Sequence, residues 1–326
     1  MKEGKVTIRL YNPGDAKGIN SMFTKYFPYK RDEEFWVWIN RVIGGESIIS
    51  IAEYNNKVIG HYAIIPRTLV VEGRYYNSGL GVHAVVDPEF RDKVSIFEIS
   101  NLAYNEAKKR GISFIYGFPN ANYRFIQERL EKWKRVSVFN AYELNLHTVT
   151  EKTKNSISFD RIIDVDYSKL YNIQLFFEKD SKMTVYPLND GKNWLLRYIL
   201  HPQQLYKVFE IVSNSDVLGY VVTKDYIKEN LEYRHIVDYV FKTNAEYKNI
   251  LRSLIEKARD EKADYYSVWK GDMLFERTLL DLGFKPTGFD TFLGVKILDK
   301  TIDMETQCKL TDFAKWRLVM GDTDSF

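Results

Sequence analysis

One cysteine, Cys308, stands in a chain of 326 residues, and that scarcity excludes an internal disulfide and any cysteine-based metal cluster. The five histidines are scattered, and none pairs at i, i+4 or with a nearby cysteine, so metal-ligand spacing is missing. No G-x-S-x-G turn is present to carry a serine nucleophile. No apolar run approaches about 20 residues, so nothing is expected to span a membrane. The opening MKEGKVTIRLYN lacks an apolar signal core, and a cytoplasmic enzyme is the default expectation. A net charge of +3, with Lys and Arg interleaved among Asp and Glu, provides no concentrated basic face for nucleic acid. A Pro/Gly-rich linker is also lacking. What is present, 45% hydrophobic and 28% charged residues, defines a soluble globular class with length for two ordinary domains.

The richest stretch runs from Leu80 to Pro119. Val82 to Val86 is a short run of strand formers, and Pro88 stops it. Ser95 to Lys109 then carries Ile96, Ile99, Leu102, Ala103 and Ala107 at helical spacing, with Gly111 where a helix ends. Ile112 to Phe118 is strand-like again. A strand that feeds a helix N-terminus through a tight turn is a ready anion site, because free N–H groups and the helix dipole point at the ligand.

The turn itself, Val86-Asp-Pro-Glu-Phe-Arg91-Asp-Lys-Val94-Ser-Ile96, resembles the acetyl-CoA signature of the GNAT superfamily of acyl-CoA N-acyltransferases, V-x-P-x-[FY]-[RQ]-x-x-G-x-[GA]. Flanking segments fit the same family. Ile8-Arg9, then Asp15 with Ile19, Met22, Phe23 and Tyr26, resembles its first strand and helix. Ile48 to Tyr54, Asn55-Asn56-Lys57 and Val58 to Pro66 read as a hairpin with a polar turn. Phe114 to Asn120 resembles its fifth strand, and Arg124 to Trp133 the next helix. The resemblance covers residues 5–148. It departs from the pattern at Val94 and Ile96, which stand where the family has small residues; a valine Cβ there is expected to crowd an approaching phosphate.

The second half repeats the element order. Tyr206 to Val212 and Val217 to Thr223 predict a hairpin, Arg234 to Phe241 a strand and Ala245 to Lys262 a helix with Ile250, Leu251, Leu254, Ile255 and Ala258 on one face. Asp264 to Trp269, Leu274 to Leu282 and Gly288 to Leu298 follow as strand, helix and strand. That order suggests a diverged internal duplication. The expected fold is α/β in the α+β mixed-sheet sense: two tandem GNAT-like domains, each a mixed, mostly antiparallel sheet flanked by helices. The boundaries are 1–150, with the acetyl-CoA site, and 151–326, a degenerate copy. No Arg-x-x-Gly turn lies between Val240 and Lys248, so the second copy is expected to be structural and to wall the acceptor site. Asn193-Trp194-Leu-Leu-Arg197-Tyr198 with His201-Pro202, and the ending Trp316-Arg-Leu-Val-Met-Gly321-Asp-Thr-Asp324-Ser-Phe326, resemble motifs of polysaccharide-linked paired GNAT proteins.

The resemblance implies acetyl-CoA as co-substrate, with its pantetheine along Ala84, Val85 and Val86 and its pyrophosphate held by Arg91 and the N–H groups of Val94, Ser95 and Ile96. Tyr123 stands where the family often places the acid for the leaving thiolate, or else packs; Asn122 contacts the pantetheine amide or caps the following helix. His83, with a near-neutral reference pKa on the strand, is a candidate general base or a satisfied core histidine. Arg197 and His201, with Asp324, are candidate acceptor contacts, and the terminal carboxylate at Phe326 is a further base candidate. The expected activity is direct N-acetyl transfer to a small amine, such as an amino sugar or nucleotide sugar. A FemA/FemX-like aminoacyltransferase and a catalytically silent GNAT-fold scaffold are the alternatives. No nucleic acid or metal is expected, and a homodimer is left open.

Overall fold

A computed structural model describes residues 5–26, 32–150, 157–163, 166–180, 184–203, 205–243 and 246–324. The chain divides into two compact units, Met1–Ser137 with Phe292–Thr311, and Val138–Thr291 with Asp312–Phe326.

The first unit opens with β1 (Val6–Leu10), α1 (Asp15–Tyr26) and α2 (Glu33–Val37), which runs on as a π turn. β2 (Ile48–Tyr54), β3 (Lys57–Val71) and β4 (Arg74–Val86) form a meander, followed by α3 (Ile96–Lys109), β5 (Phe114–Gly117), α4 (Ala121–Arg129) and β6 (Lys134–Phe139). The hairpin turns Asn55-Asn56 and Glu72-Gly73 hold positive φ at both residues, the geometry whose twist matches the strands they join. In the second unit β7 (Tyr142–Asn145) precedes β8 (Ile157–Ile162), α5 (Tyr167–Asp180), β9 (Val185–Pro187) and α6 (Gly191–Trp194), again extended by a π turn. Then come β10 (Lys207–Ser213), β11 (Asp216–Lys228), β12 (Leu231–Phe241), α7 (Tyr247–Asp260), β13 (Tyr265–Val268), α8 (Met273–Asp281) and β14 (Lys285–Pro286). β15 (Thr291–Ile297) and α9 (Met304–Thr311) close the first unit.

The first sheet runs β1-β2-β3-β4-β5-β15-β6 and the second β14-β7-β13-β12-β11-β10-β8. β4 and β5 are parallel, as are β12 and β13. Two strands therefore differ in place from the sequence expectation. The 288–298 strand, read as the end of the second domain, is β15 and lies against β5; β7, inside the expected 1–150 domain, lies against β13. The physical reason is common to both. A parallel strand that returns after a helix leaves an unpaired row of N–H and C=O groups, and each sheet covers that edge with an antiparallel strand from the other half of the chain. Hydrophobic periodicity fixes which face of a strand is buried but not which edge it seeks.

The cores follow from the helix stripes. Ile99, Ala103 and Ala107 of α3 pack with Ile48, Ala52, Ile64 and Ile115, while Ile250, Leu251, Leu254, Ile255 and Ala258 of α7 pack with Val221, Ile236, Tyr266 and Val268. Each fully buried Val, Leu or Ile among them contributes about 1.5–3 kcal/mol.

Candidate active site

β4 and β5 pair from Ser78–Leu80 against Phe114–Tyr116. Beyond that point β4 continues to Val86 along β3, and the two parallel strands part. A bulge drives the divergence. His61 faces Val85 and Ala63 faces Val82, so His83 and Ala84 together oppose Tyr62. His83 adopts φ 56°, and its carbonyl accepts from His61 Nδ1 at 3.0 Å, which places the His61 proton on Nδ1. The His83 ring packs 5.5 Å from Phe23. A left-handed conformation suits glycine and resists β-branching, so His83→Val should lose about 1–2 kcal/mol more than His83→Gly in urea midpoints. Equal losses would show that the bulge relaxes.

The parting opens a cavity of about 570 Å³. β4 lines it with Ala84, Val85 and Val86, the turn and α3 with Arg91, Val94, Ser95, Ile96 and Phe97, and α4 with Asn122, Tyr123 and Ile126. The structure thus brings together every residue read as coenzyme-binding, together with Tyr123. His83 is not among the lining residues.

Local detail alters several roles. Val94 is 4% exposed and packs in the core with Val86 and Ile99, so its branched side chain is largely absorbed there. Of the three amides expected to face a pyrophosphate, two are engaged within the chain. Val94 N–H donates to the Phe90 carbonyl at 3.2 Å, and Ser95 N–H to Glu98 Oε2 at 2.8 Å. Ile96 and Phe97 N–H have no partner among the described residues. Arg91 is exposed and makes no ion pair among the described residues. The residue that caps α4 is Asn120, whose Oδ1 accepts from Tyr123 N–H at 2.9 Å; Asn122 is exposed one position into the helix.

Two carboxylates escaped the sequence reading. Asp87 is buried at the end of β4 and accepts from the Tyr26 hydroxyl at 2.7 Å, Lys57 at 3.3 Å and Glu89 N–H at 3.2 Å. Burial alone would raise its pKa, but these donors hold it at about 2. Glu131, 1% exposed, accepts from Tyr104 at 2.6 Å, Ser100 at 2.7 Å and Tyr123 at 3.1 Å. Burial pushes its carboxyl up against the pull of those hydroxyls, and burial also lifts Tyr104 and Tyr123 well above the usual phenol range. The Tyr123 hydroxyl, expected to meet a leaving sulfur, is therefore directed to Glu131. Trp133 donates to Tyr104 at 3.0 Å, and its indole lies over Gly81, Gly117 and Gly294; a Cβ on Gly294 would come within 3.2 Å of it. The Ser100/Tyr104 i, i+4 pair on the buried stripe of α3 was the available signal.

The acceptor candidates lie in the second unit. Arg197 is buried and donates to the Thr323 carbonyl, and His201 packs edge-on against Tyr206 at 5.1 Å. Burial beside Arg197 and Lys224 pushes His201 down to about 4. Trp194 and Trp316 are buried in the same unit, and Asp322 accepts from Asn189 and Val319 N–H. Both motifs thus contribute to the interior of this unit. The Phe326 carboxylate lies outside the described residues.

Residues 7–129 match the model of the acetyltransferase (GNAT) domain. No curated protein matches the sequence. Among solved structures the chain is similar to a GCN5-related N-acetyltransferase from Anabaena variabilis, with TM-score 0.68 and 13% identity over 90% of this chain and 73% of that one. It is similar to a conserved Enterococcus faecalis protein described as a probable N-acyltransferase, with TM-score 0.66 and 12% identity over 90% and 73%. It is also similar to Saccharomyces cerevisiae N-myristoyltransferase with bound myristoyl-CoA, with TM-score 0.61 and 12% identity over 88% and 82%. At these identities the likeness establishes the fold.

Proposed function

We propose that this chain, in which residues 7–129 form a GNAT acetyltransferase domain, is an N-acyltransferase that moves an acyl group from a coenzyme A thioester to a small amine. The observation that carries this reading is the cavity where β4 parts from β5, because it joins an open strand edge to an unpaired arginine and a helix N-terminus. That combination suits an elongated thioester with a diphosphate at one end. When bound, the coenzyme supplies an activated acyl carbon, which leaves sulfur for the amine nitrogen while the amine proton ends on the thiol. The backbone of Ala84 to Val86 offers N–H groups for a developing oxyanion, a term that often dominates acyl transfer. Arg91, with Ile96 and Phe97 N–H, would hold the diphosphate. No proton-transfer role is assigned to His83, which does not line the cavity, or to Tyr123, whose hydroxyl donates to Glu131. Acetyl is the favoured acyl group and an amino sugar or nucleotide sugar the favoured acceptor.

Calorimetric titration with acetyl-CoA tests the reading. Micromolar binding is expected, weakened about 10- to 100-fold by Arg91→Ala, as for loss of one charge-assisted contact of about 1.5–3 kcal/mol. No binding at millimolar coenzyme would leave a protein that keeps the fold without the reaction. The amides taken by Phe90 and Glu98 favour that second reading.

A further inference from the structure

We infer that Arg67 is the seat of an oxyanion carried by the acceptor, a phosphate or carboxylate set apart from its amine; that the occupant is the acceptor rests on the acyl-transfer reading above. Arg67 lies on β3 beyond Ile64, the last residue that β2 covers, and pairs with Ser78 of β4. Ile64 packs in the core with α3, so strand alternation turns Arg67 to the opposite face of the sheet, away from the coenzyme cavity. Ser78 and Phe114 share its row across the sheet, and both are buried. Ser78 stands six residues, about 20 Å of strand, before Ala84, the first cavity residue on β4.

The anomaly is the charge. Arg67 is 8% exposed, and its Nη2 is buried without an acceptor among the described residues. The guanidinium makes no hydrogen bond, ion pair or ring contact there. A guanidinium keeps its charge, and a buried charge is ordinarily paired because its lost hydration must be replaced. Ser47 Oγ, one residue before β2, is likewise buried without a partner among the described residues. Its turn packs on the same segment of β3, since a Cβ on Gly44 would collide with the Pro66 carbonyl. Two such donors beside one strand suit an oxyanion, two of whose oxygens can meet the planar fork of an arginine. In the acyl-transfer reading Arg91 holds the coenzyme diphosphate at the α3 face, so a second seat on the far face falls to the other substrate. Binding energy from a group remote from the amine then serves to orient it for attack.

Urea midpoints of the full chain in inorganic phosphate, in acetate and in chloride of equal ionic strength test the seat, because a ligand of the folded form raises its stability. Wild type, Arg67→Met, Arg67→Lys and Arg91→Ala are compared. Arg67→Met keeps the reach of the side chain without its charge. In chloride it should unfold at the same urea as wild type or higher, as expected when an unpaired buried charge is replaced by an apolar group. Wild type and Arg91→Ala should gain midpoint in phosphate or in acetate, and which anion acts separates a phosphate from a carboxylate occupant. Arg67→Met should lose that gain, Arg67→Lys should keep part of it, and Arg67→Met should bind acetyl-CoA in calorimetry as wild type does. An Arg67→Met protein that loses stability in chloride, or that responds to the anions as wild type does, would overturn the seat, as would a wild type that responds to neither anion; the acyl-transfer reading would stand. If acetyl-CoA binds no form while the anion response still depends on Arg67, the seat stands and the acceptor is struck as its occupant.

Discussion

Glu131→Ala is expected to destabilise the first unit by about 3–5 kcal/mol, the range for stripping one partner from a buried charged network. The carboxylate is almost fully enclosed and accepts three hydroxyls, from Ser100, Tyr104 and Tyr123. Truncation leaves those donors buried without their acceptor, at about 1–3 kcal/mol for each that finds no substitute. The loss also spreads, because Tyr104 in turn receives the Trp133 indole N–H. Glu131→Gln should lose much less, since its amide oxygen still accepts from the hydroxyls. Urea midpoints for the three proteins measure the difference. A loss below about 1 kcal/mol for Glu131→Ala would mean that water or a rearranged hydroxyl takes the carboxylate's place. The same pair reports on the cavity wall: Tyr123 is tethered by Glu131, so the glutamine variant should retain coenzyme binding where the alanine variant, if it folds, weakens it.

The elements around this network differ in how plainly the sequence announces them. α3 is legible because its Ile99/Ala103/Ala107 stripe and Gly111 at φ 73° are local devices, each encoded within a few residues; the Ser95-x-x-Glu98 cap is a third such device that the sequence reading missed. The polar pair Asn55-Asn56 likewise specifies its own turn. The cavity residues are legible through the resemblance of the Val86-to-Ile96 turn. Glu131 is not, because it sits in the run Arg129-Leu-Glu-Lys-Trp-Lys-Arg135, where a solvated charge is the natural reading. Only the arrival of Trp133 over three glycines on neighbouring strands pulls that run inward. The edge choices of β7 and β15 are invisible for a related reason: the groups that demand them belong to β13 and β5, far away in sequence. Tyr198 and Gly321 stand out as motif residues, but their use, with the Tyr198 hydroxyl on Asp238, appears only once β12 is in place.

That last contact sets the stability of the second unit against pH. Asp238 lies on β12 with no exposed surface, and accepts from Tyr198 at 2.9 Å and from its neighbour Tyr239 N–H at 2.8 Å. Burial raises its carboxyl from 3.8 to about 7; Arg317 pulls the other way and Asp322 adds to the rise. The folded form therefore holds a proton between about pH 4 and 7 that the unfolded chain has released. Stability from this group is fully present below about pH 4 and is lost as pH climbs through 7. The gap between 3.8 and about 7, at about 1.4 kcal/mol per pH unit, amounts to about 4 kcal/mol. Asp238→Asn removes the titration while its amide oxygen can still accept from Tyr198. The stability of the variant relative to wild type in urea should therefore rise by about 2.7 kcal/mol between pH 5 and 8, the part of the titration from pH 5 to about 7 at about 1.4 kcal/mol per unit. Parallel profiles from pH 5 to 8 would mean that Arg317 keeps Asp238 ionised throughout, and that the buried pair, not a bound proton, holds β12 to the segment bearing Tyr198.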